Sequence, residues 1–457
     1  MPRLKVNRPM GAVNTLDSVN FGFLKQNNSC ASGMKLLKLG TGEDSDRIIS
    51  NAWAKSMQSS QRLPATKPQI YLSTLQSLRG IAAIVVLLRH STLSFPSSGS
   101  FTDFVESVVF NSHAAVVVFF VLSGFVLSLS LDNRQMSTAS VGGFYIKRLF
   151  RILPLLVFVT ILSLLYTLSP VSGLAVAGST HFFMGLLMHR PPHAMTVLLS
   201  LVGLNSHYVP QNWTIMVELL VAPAFPFLFF LSRMSRNLLA LMLAVAVIAS
   251  LAAPLGGRWL PVAYTADFLL GIGGFLIWSR NMPVDHRFLP VAAVAAFIVL
   301  LTARPVLTAC DAPLIDPNNF HDATSGLIEA LAASVLILAL VGHANVARAL
   351  SGRILVFLGD ISFSLYLVHF LIIVLFARFL DRFVPAFSDL NNLARNCIFA
   401  LLVLLISVPV SALLYRLLEL PCNRFGRRLA AFDAPTPALP PRPARKPVVE
   451  TLPVARQ

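Results

Sequence analysis

From about residue 75 to residue 417 the chain is a succession of apolar runs separated by short polar stretches. Ten runs predict membrane-spanning helices, at roughly 75–95, 113–131, 152–168, 213–232, 237–254, 262–279, 288–303, 325–342, 355–376 and 396–417. A helix needs about 20 apolar residues to cross a hydrocarbon layer roughly 30 Å thick, and these runs are near that length. An eleventh stretch, 181–204, is interrupted by "MHRPPH", Met188 to His193. Two prolines, an arginine and two histidines make a poor spanning helix, so a re-entrant or peripheral segment is expected there. The fold class expected is all-α: a polytopic membrane protein of about ten transmembrane helices with one broken segment.

The ends read differently. Residues 1–70 are polar and mixed, with ten Lys or Arg against four acids and no helical periodicity, and predict a flexible cytoplasmic extension. Residues 71–424 form the membrane domain. Residues 425–457 contain "APTPALPPRPARKP", a Pro-rich basic tail expected to be extended and cytoplasmic. No apolar run resembling a cleavable signal lies near the N-terminus.

Composition sharpens this picture. Of the 457 residues 55% are hydrophobic and only 12% charged, with a mean hydropathy of +0.71, against about 25% charged in an average soluble domain. The net charge of +16 sits in loops and tails rather than in one patch, which favours a membrane topology signal over nucleic-acid binding. If 181–204 does not cross and the N-terminus is cytoplasmic, the short inner loops hold ten basic residues and the longer outer segments six. Both basic tails then also fall inside, the orientation that the positive-inside rule expects. Four cysteines, Cys30, Cys310, Cys397 and Cys422, form no CxxC pair and no metal spacing, so neither a disulfide scaffold nor a metal site is expected.

Within the first span, "SLRGIAAIVVLLRH" (Ser77 to His90) carries an arginine and a histidine in an apolar run. Eleven residues is close to three helical turns, so Arg79 and His90 share a face roughly 16 Å apart. A charge at mid-bilayer costs about 2.5–3.5 kcal/mol by insertion scales, and such residues usually mark a site. For either residue alone a plain explanation exists: Arg79 reaching back to the headgroups, His90 in a polar helix contact. Both on one face suit a ligand with an anionic head and a long thin arm. Coenzyme A has that shape: its phosphates would meet Arg79 at the cytoplasmic mouth, and its thioester would approach His90. His90 would then serve as general base on an incoming hydroxyl.

These residues also carry a family resemblance. "LRGIAAIVVLLRH" resembles the Arg-x10-His signature of the acyltransferase 3 family of integral membrane O-acyltransferases. Five further pieces resemble that family's motifs in order: "FFVLSGFVLS" (Phe119 to Ser128), "YIKRLFRILP" (Tyr145 to Pro154), "NWTIMVELLVAPAFP" (Asn212 to Pro226), "LGDISFSLYLVH" (Leu358 to His369) and "YRLLELP" (Tyr415 to Pro421). The resemblance implies an acyl-CoA co-substrate, often acetyl-CoA, no bound cofactor, and a hydroxyl acceptor, often a sugar of an envelope or exported glycan. It also implies residence in a bacterial inner membrane. Two positions depart from the family pattern. Trp213-Thr214-Ile215 stands where Trp-Ser-Leu is usual, which keeps the hydroxyl. Ala115-Val116-Val117 stands where Gly-Val and an acid are frequent, which removes a carboxylate.

Other residues join the candidate site with plainer explanations beside them. Arg148 and Arg151 sit at the inner end of the third span and suit a phosphate, although inner-loop topology alone would place them there. Glu218, counted from the outer end of its span, falls at the depth of His90, so a Glu218–His90 contact that orients the imidazole is expected. Ser362, Tyr366 and His369 share one helix face and are candidates for the acceptor cavity, with helix packing as the other explanation. Trp213 suits either the acceptor or an interfacial aromatic belt. The rival functional class is a secondary transporter, since intramembrane charges and a broken segment also occur there.

Overall fold

The computed structural model describes residues 67–132, 136–186, 191–252, 260–280, 287–312, 316 and 319–432. The expected flexible extension and the Pro-rich tail lie outside these residues except at their inner edges, and both edges are helical. All regular structure among the described residues is helical.

Helix α1 (Lys67–Thr92) is 26 residues long, or about 39 Å at 1.5 Å per residue. A short amphipathic helix, α2 (Ser100–Val109), follows, and then α3 (Ser112–Leu131). Fifteen of the twenty residues of α3 are buried, because it is apolar on every side and is surrounded by other helices. Helix α4 (Thr138–Leu168) starts at a capping box between Ser137 and Ser140 and carries Arg148 and Arg151 in its first half. The interrupted stretch yields only two short helices, α5 (His181–Gly185) and α6 (Ala194–Leu201), neither long enough to cross a bilayer.

The predicted span 213–232 is two helices, α7 (Asn212–Val221) and α8 (Phe225–Met234), bent by 54° at Ala222-Pro223-Ala224. Pro223 and Pro226 account for the break, since neither offers a backbone N–H to the preceding turn. Then come α9 (Arg236–Ala252), the single turn α10 (Leu260–Ala263), α11 (Thr265–Ser279), α12 (Leu289–Ala309) and α13 (Ala323–Gly342). The short helices α14 (Ala344–Ala349) and α15 (Arg353–Asp360) lead into α16 (Ser362–Phe383) and α17 (Asn392–Leu414). The last helix, α18 (Leu420–Phe432), follows a π-helical turn at Tyr415–Glu419 and packs along α4.

Every predicted span overlaps a helix, but the count of ten is not met. By length and composition, seven described stretches suit a membrane crossing, or eight if the bent α7–α8 pair is one span. Helix α9, at 17 residues, is shorter, and the apolar run of α1 is interrupted by Arg79, Arg89 and His90. The ninth expected span, 355–376, is also displaced: its first part is the separate amphipathic helix α15, and the crossing helix begins only at Ser362.

Two helix crossings bring backbones into close approach. At the first, Gly124 of α3 meets Gly271 of α11 so closely that a Cβ on Gly271 would lie 2.8 Å from the Gly124 Cα and overlap the Val121 carbonyl. At the second, Gly80 of α1 meets Gly359 at the end of α15, where a Cβ on Gly80 would lie 2.6 Å from the Gly359 nitrogen. Small residues let backbones approach where lipid supplies no hydrophobic drive for association. Substitution Gly271→Leu should therefore lower the thermal midpoint of the detergent-solubilised protein, by an amount equivalent to at least about 1–3 kcal/mol of overpacking. Gly142→Ala, where a Cβ meets open space, should leave the midpoint within a degree or two of wild type in the same melt.

Candidate active site

His90 lies in the last turn of α1, and its partner is His369 of α16, with His90 Nδ1 3.0 Å from His369 Nε2. On the other side of the His369 ring, Nδ1 is 2.7 Å from the Tyr366 carbonyl oxygen. A carbonyl only accepts, so His369 Nδ1 carries the proton and its Nε2 is left as an acceptor. His90 Nδ1 must then be the donor of the second bond. This assignment from the hydrogen-bond network leaves the lone pair of His90 on Nε2. Phe370 and Phe182 flank the ring, with centroids 4.4 and 5.9 Å away.

The expected Glu218–His90 contact is not formed. Glu218 instead accepts a 2.7 Å hydrogen bond from Ser123 Oγ and lies 3.5 Å from Arg148 Nη2. The depth count fails because α7 does not start at the outer surface. Gln211, just before it, is buried within the bundle and donates to the Tyr366 and Leu367 carbonyls of α16 at 3.2 and 2.6 Å. From that start two further turns of α7 carry Glu218 past Tyr366 to the arginines.

Arg79, Arg148, Arg151 and Glu218 line one cavity, together with Ser362, Thr214 and Tyr366, with about 810 Å³ of open space counted out to its mouth. Arg148 is only 9% exposed; its Nε has no hydrogen-bond acceptor, and its Nη2 has Glu218 only at 3.5 Å. A buried guanidinium donor without an acceptor is costly, and three arginines about one cavity suit an anionic group. Ser362 donates its hydroxyl to the Gly359 carbonyl at 2.7 Å. Glu419, buried in the π-helical turn, accepts from Ser364 Oγ at 2.8 Å and acts electrostatically on Arg79. Sequence reading passed over Glu419, although an acid ending an apolar helix in "YRLLELP" was a usable signal.

A second cavity holds His90, Trp213, Phe320, Phe370 and Gln211 on its walls. Tyr366 and Val116 border both cavities, so the two are separated by little more than one side chain. The Tyr366 hydroxyl is fixed by Thr214 Oγ1 at 2.9 Å and by the Gln211 carbonyl at 3.2 Å. That bond gives the hydroxyl of Trp213-Thr214-Ile215 a physical task. Of the residues singled out in the sequence, Arg79, Arg148, Arg151, Glu218 and Ser362 gather at the first cavity. His90 and Trp213 line the second, Tyr366 lines both, and His369 stands behind His90. Phe320 and Gln211 carried no obvious signal, being an aromatic and an amide in loops.

Comparison with known proteins identifies the family. The family model described as "Acyltransferase domain" matches residues 72–416. The chain is 25% identical over 400 residues to the acyltransferase MdmB of Streptomyces mycarofaciens, covering 81% of this chain and 96% of that protein. No solved structure matches. With six motifs in order and a match across three quarters of its length, the chain belongs to the acyltransferase 3 family of membrane acyltransferases.

Proposed function

We propose that the protein moves an acyl group, acetyl first among the choices, from cytosolic acyl-CoA to a hydroxyl of an envelope or exported glycan. The observation that carries this reading is the hydrogen-bonded chain from the Tyr366 carbonyl through His369 to His90. It leaves His90 Nε2 unprotonated in a cavity adjoining a buried arginine cluster. In the reaction His90 Nε2 takes the proton of the acceptor hydroxyl as its oxygen attacks the thioester carbon. The C–S bond then breaks, and the proton passes from His90 to the thiolate of CoA. His369 holds the ring and shares the positive charge that develops on His90. Arg79, Arg148 and Arg151 receive the phosphates, and Glu218 keeps Arg148 aimed at them. Family membership favours this enzyme over the transporter.

Sidedness follows from charge. The arginine cavity belongs at the cytoplasmic side of a bacterial inner membrane, with both termini inside, where acyl-CoA is made. Three of the six basic residues assigned to the outer side support that orientation, because each is spent on holding backbone. Arg304 donates to the Asn319 and Phe320 carbonyls, Arg378 to Val171 and Ser172, and Arg395 to Ser388.

Replacing His90 by alanine should cut acyl transfer by about 10²–10⁴-fold with the protein still inserted. His369→Gln should give a smaller loss seen mainly in kcat. Thiol release from acetyl-CoA measures both, and near-normal turnover in His90→Ala would remove the histidine from the mechanism.

Arg148→Lys and Arg79→Lys should each raise the apparent KM for acetyl-CoA by roughly ten- to a hundred-fold, the worth of a lost charge-assisted hydrogen bond. A change confined to the acceptor KM would reject the phosphate role.

In sealed vesicles of known orientation, acetyl-CoA on the cytoplasmic face should acylate an impermeant acceptor sugar on the opposite face. Transfer only when both share the cytoplasmic face would overturn the through-membrane arrangement while leaving the acyl transfer intact.

A further inference from the structure

A second buried polar cluster lies beside the His90 cavity and has no part in the chemistry above. Glu329 of α13 is fully buried, and both its oxygens are engaged: Oε2 with His113 Nδ1, and Oε1 by Asn111 Nδ2 at 2.9 Å. From His113 the chain continues. Its Nε2 is 3.2 Å from the Tyr264 hydroxyl, and that hydroxyl is 3.0 Å from His321 Nδ1. Four side chains from α3, α13, the start of α11 and the segment before α13 are thus tied in series. Burying a carboxylate beside an imidazole is expensive, and apolar residues of the same volume would generally pack as stably. A chain like this is better explained by the geometry that it imposes.

That geometry ends at the His90 cavity. His321 meets Trp213 edge to face at 4.7 Å between centroids, and Tyr264 packs on Trp213 at 5.6 Å. Next to His321, Phe320 is held from outside: Arg304 donates to its carbonyl at 2.8 Å and lies 5.3 Å over its ring. Trp213 and Phe320 both line the cavity. None of the described residues lining it is Asp, Glu, Lys or Arg. One buried polar atom there is unsatisfied. Gln211 spends its amide N–H groups on the α16 carbonyls, while its Oε1 has no partner. The cavity therefore offers aromatic faces, one base and one waiting acceptor of a hydrogen bond, and among the described residues lining it no charge to answer a charge.

We infer that the acyl acceptor presents a neutral glycosyl ring here, stacked on Trp213 and Phe320 with a hydroxyl donating to Gln211 Oε1. The chain Glu329–His113–Tyr264–His321 is the positioning device that holds this wall in register with His90. The inference rests on the acyl-transfer reading and narrows its acceptor. Uronic, sialic or phosphorylated rings fit less well, because a carboxylate in this cavity would meet no cation among the described residues that line it. The aromatic faces suit the C–H side of an uncharged sugar, and the second hydroxyl supplies the donor that Gln211 lacks.

The probes are phenyl β-glucoside and phenyl β-glucuronide, which differ by one carboxylate, used with the full-length protein in detergent. The glucoside should quench tryptophan fluorescence in wild type but not in Trp213→Phe, and should stimulate thiol release from acetyl-CoA. The glucuronide should do both at least tenfold more weakly. Tyr264→Phe removes only the hydroxyl that joins the two histidines, and should raise the glucoside KM about tenfold with the acetyl-CoA KM unchanged. Glu329→Gln, which keeps the bond from Asn111, should show the same split if Tyr264→Phe does not fold. Equal use of the two probes, or binding of neither, overturns the neutral-ring assignment. Parallel changes in both KM values overturn the positioning role. Glucoside quenching with no thiol release in wild type would leave the neutral-ring site standing and sink the acyl-transfer reading instead.

Discussion

A charged or hydrogen-bonding side chain placed in hydrocarbon has no water to fall back on, and must find its partners inside the bundle. This constraint organises the whole domain. Arg148 turns to Glu218, Glu218 to Ser123, Glu419 to Ser364, Glu329 to His113 and Asn111. The glycine crossings at Gly124–Gly271 and Gly80–Gly359 bring the backbones of α3 and α11, and of α1 and α15, into close approach. Among the buried polar atoms left without a hydrogen bond are Arg148 Nε and Gln211 Oε1, on residues that line the two cavities.

How much of this the sequence discloses depends on whether it is written along one helix or between several. The Arg79–His90 pair is legible because both lie on α1, where a rise of about 1.5 Å per residue fixes their separation. The same holds for Ser362, Tyr366 and His369 on α16. The pairing of His90 with His369 spans 279 positions, and no local rule leads from one to the other. Glu218 shows the failure most clearly. Its depth was counted from the end of an apolar run, but the run begins inside the bundle, where Gln211 binds α16. Hydropathy shows that a stretch is apolar and leaves open whether it starts at a surface or in the middle. The merging of α15 with α16 into one expected span has the same origin, since Asp360 and Gly359 interrupt the hydropathy too briefly to be read as a boundary.

The departure at Val117 can be viewed against the helices around it. Val117 is fully buried, and the carboxylate frequent at that position in similar proteins is absent. Within the same region Glu329 reaches α3 from the opposite helix and binds His113, one turn before Val117. A buried acid is therefore still present beside α3, supplied from α13 and carrying an imidazole partner. Thr214 is a milder substitution, because a threonine hydroxyl can fix the Tyr366 phenol as a serine hydroxyl can.

The partition at Tyr366 and Val116 also has an electrical side. A bacterial membrane holds a potential, and moving one elementary charge through 100 mV is worth about 2.3 kcal/mol. Two water-accessible cavities entering from opposite faces would shorten the insulating layer to the thickness of Tyr366 and Val116. The field would then fall steeply across those two side chains. Fastening the phenol at both Thr214 and Gln211 keeps that layer sealed between turnovers. During turnover the pantetheine arm would take its place as the plug. On the proposed mechanism the arm would do more than deliver the thioester: its snug passage would keep protons and ions from following the acyl group across.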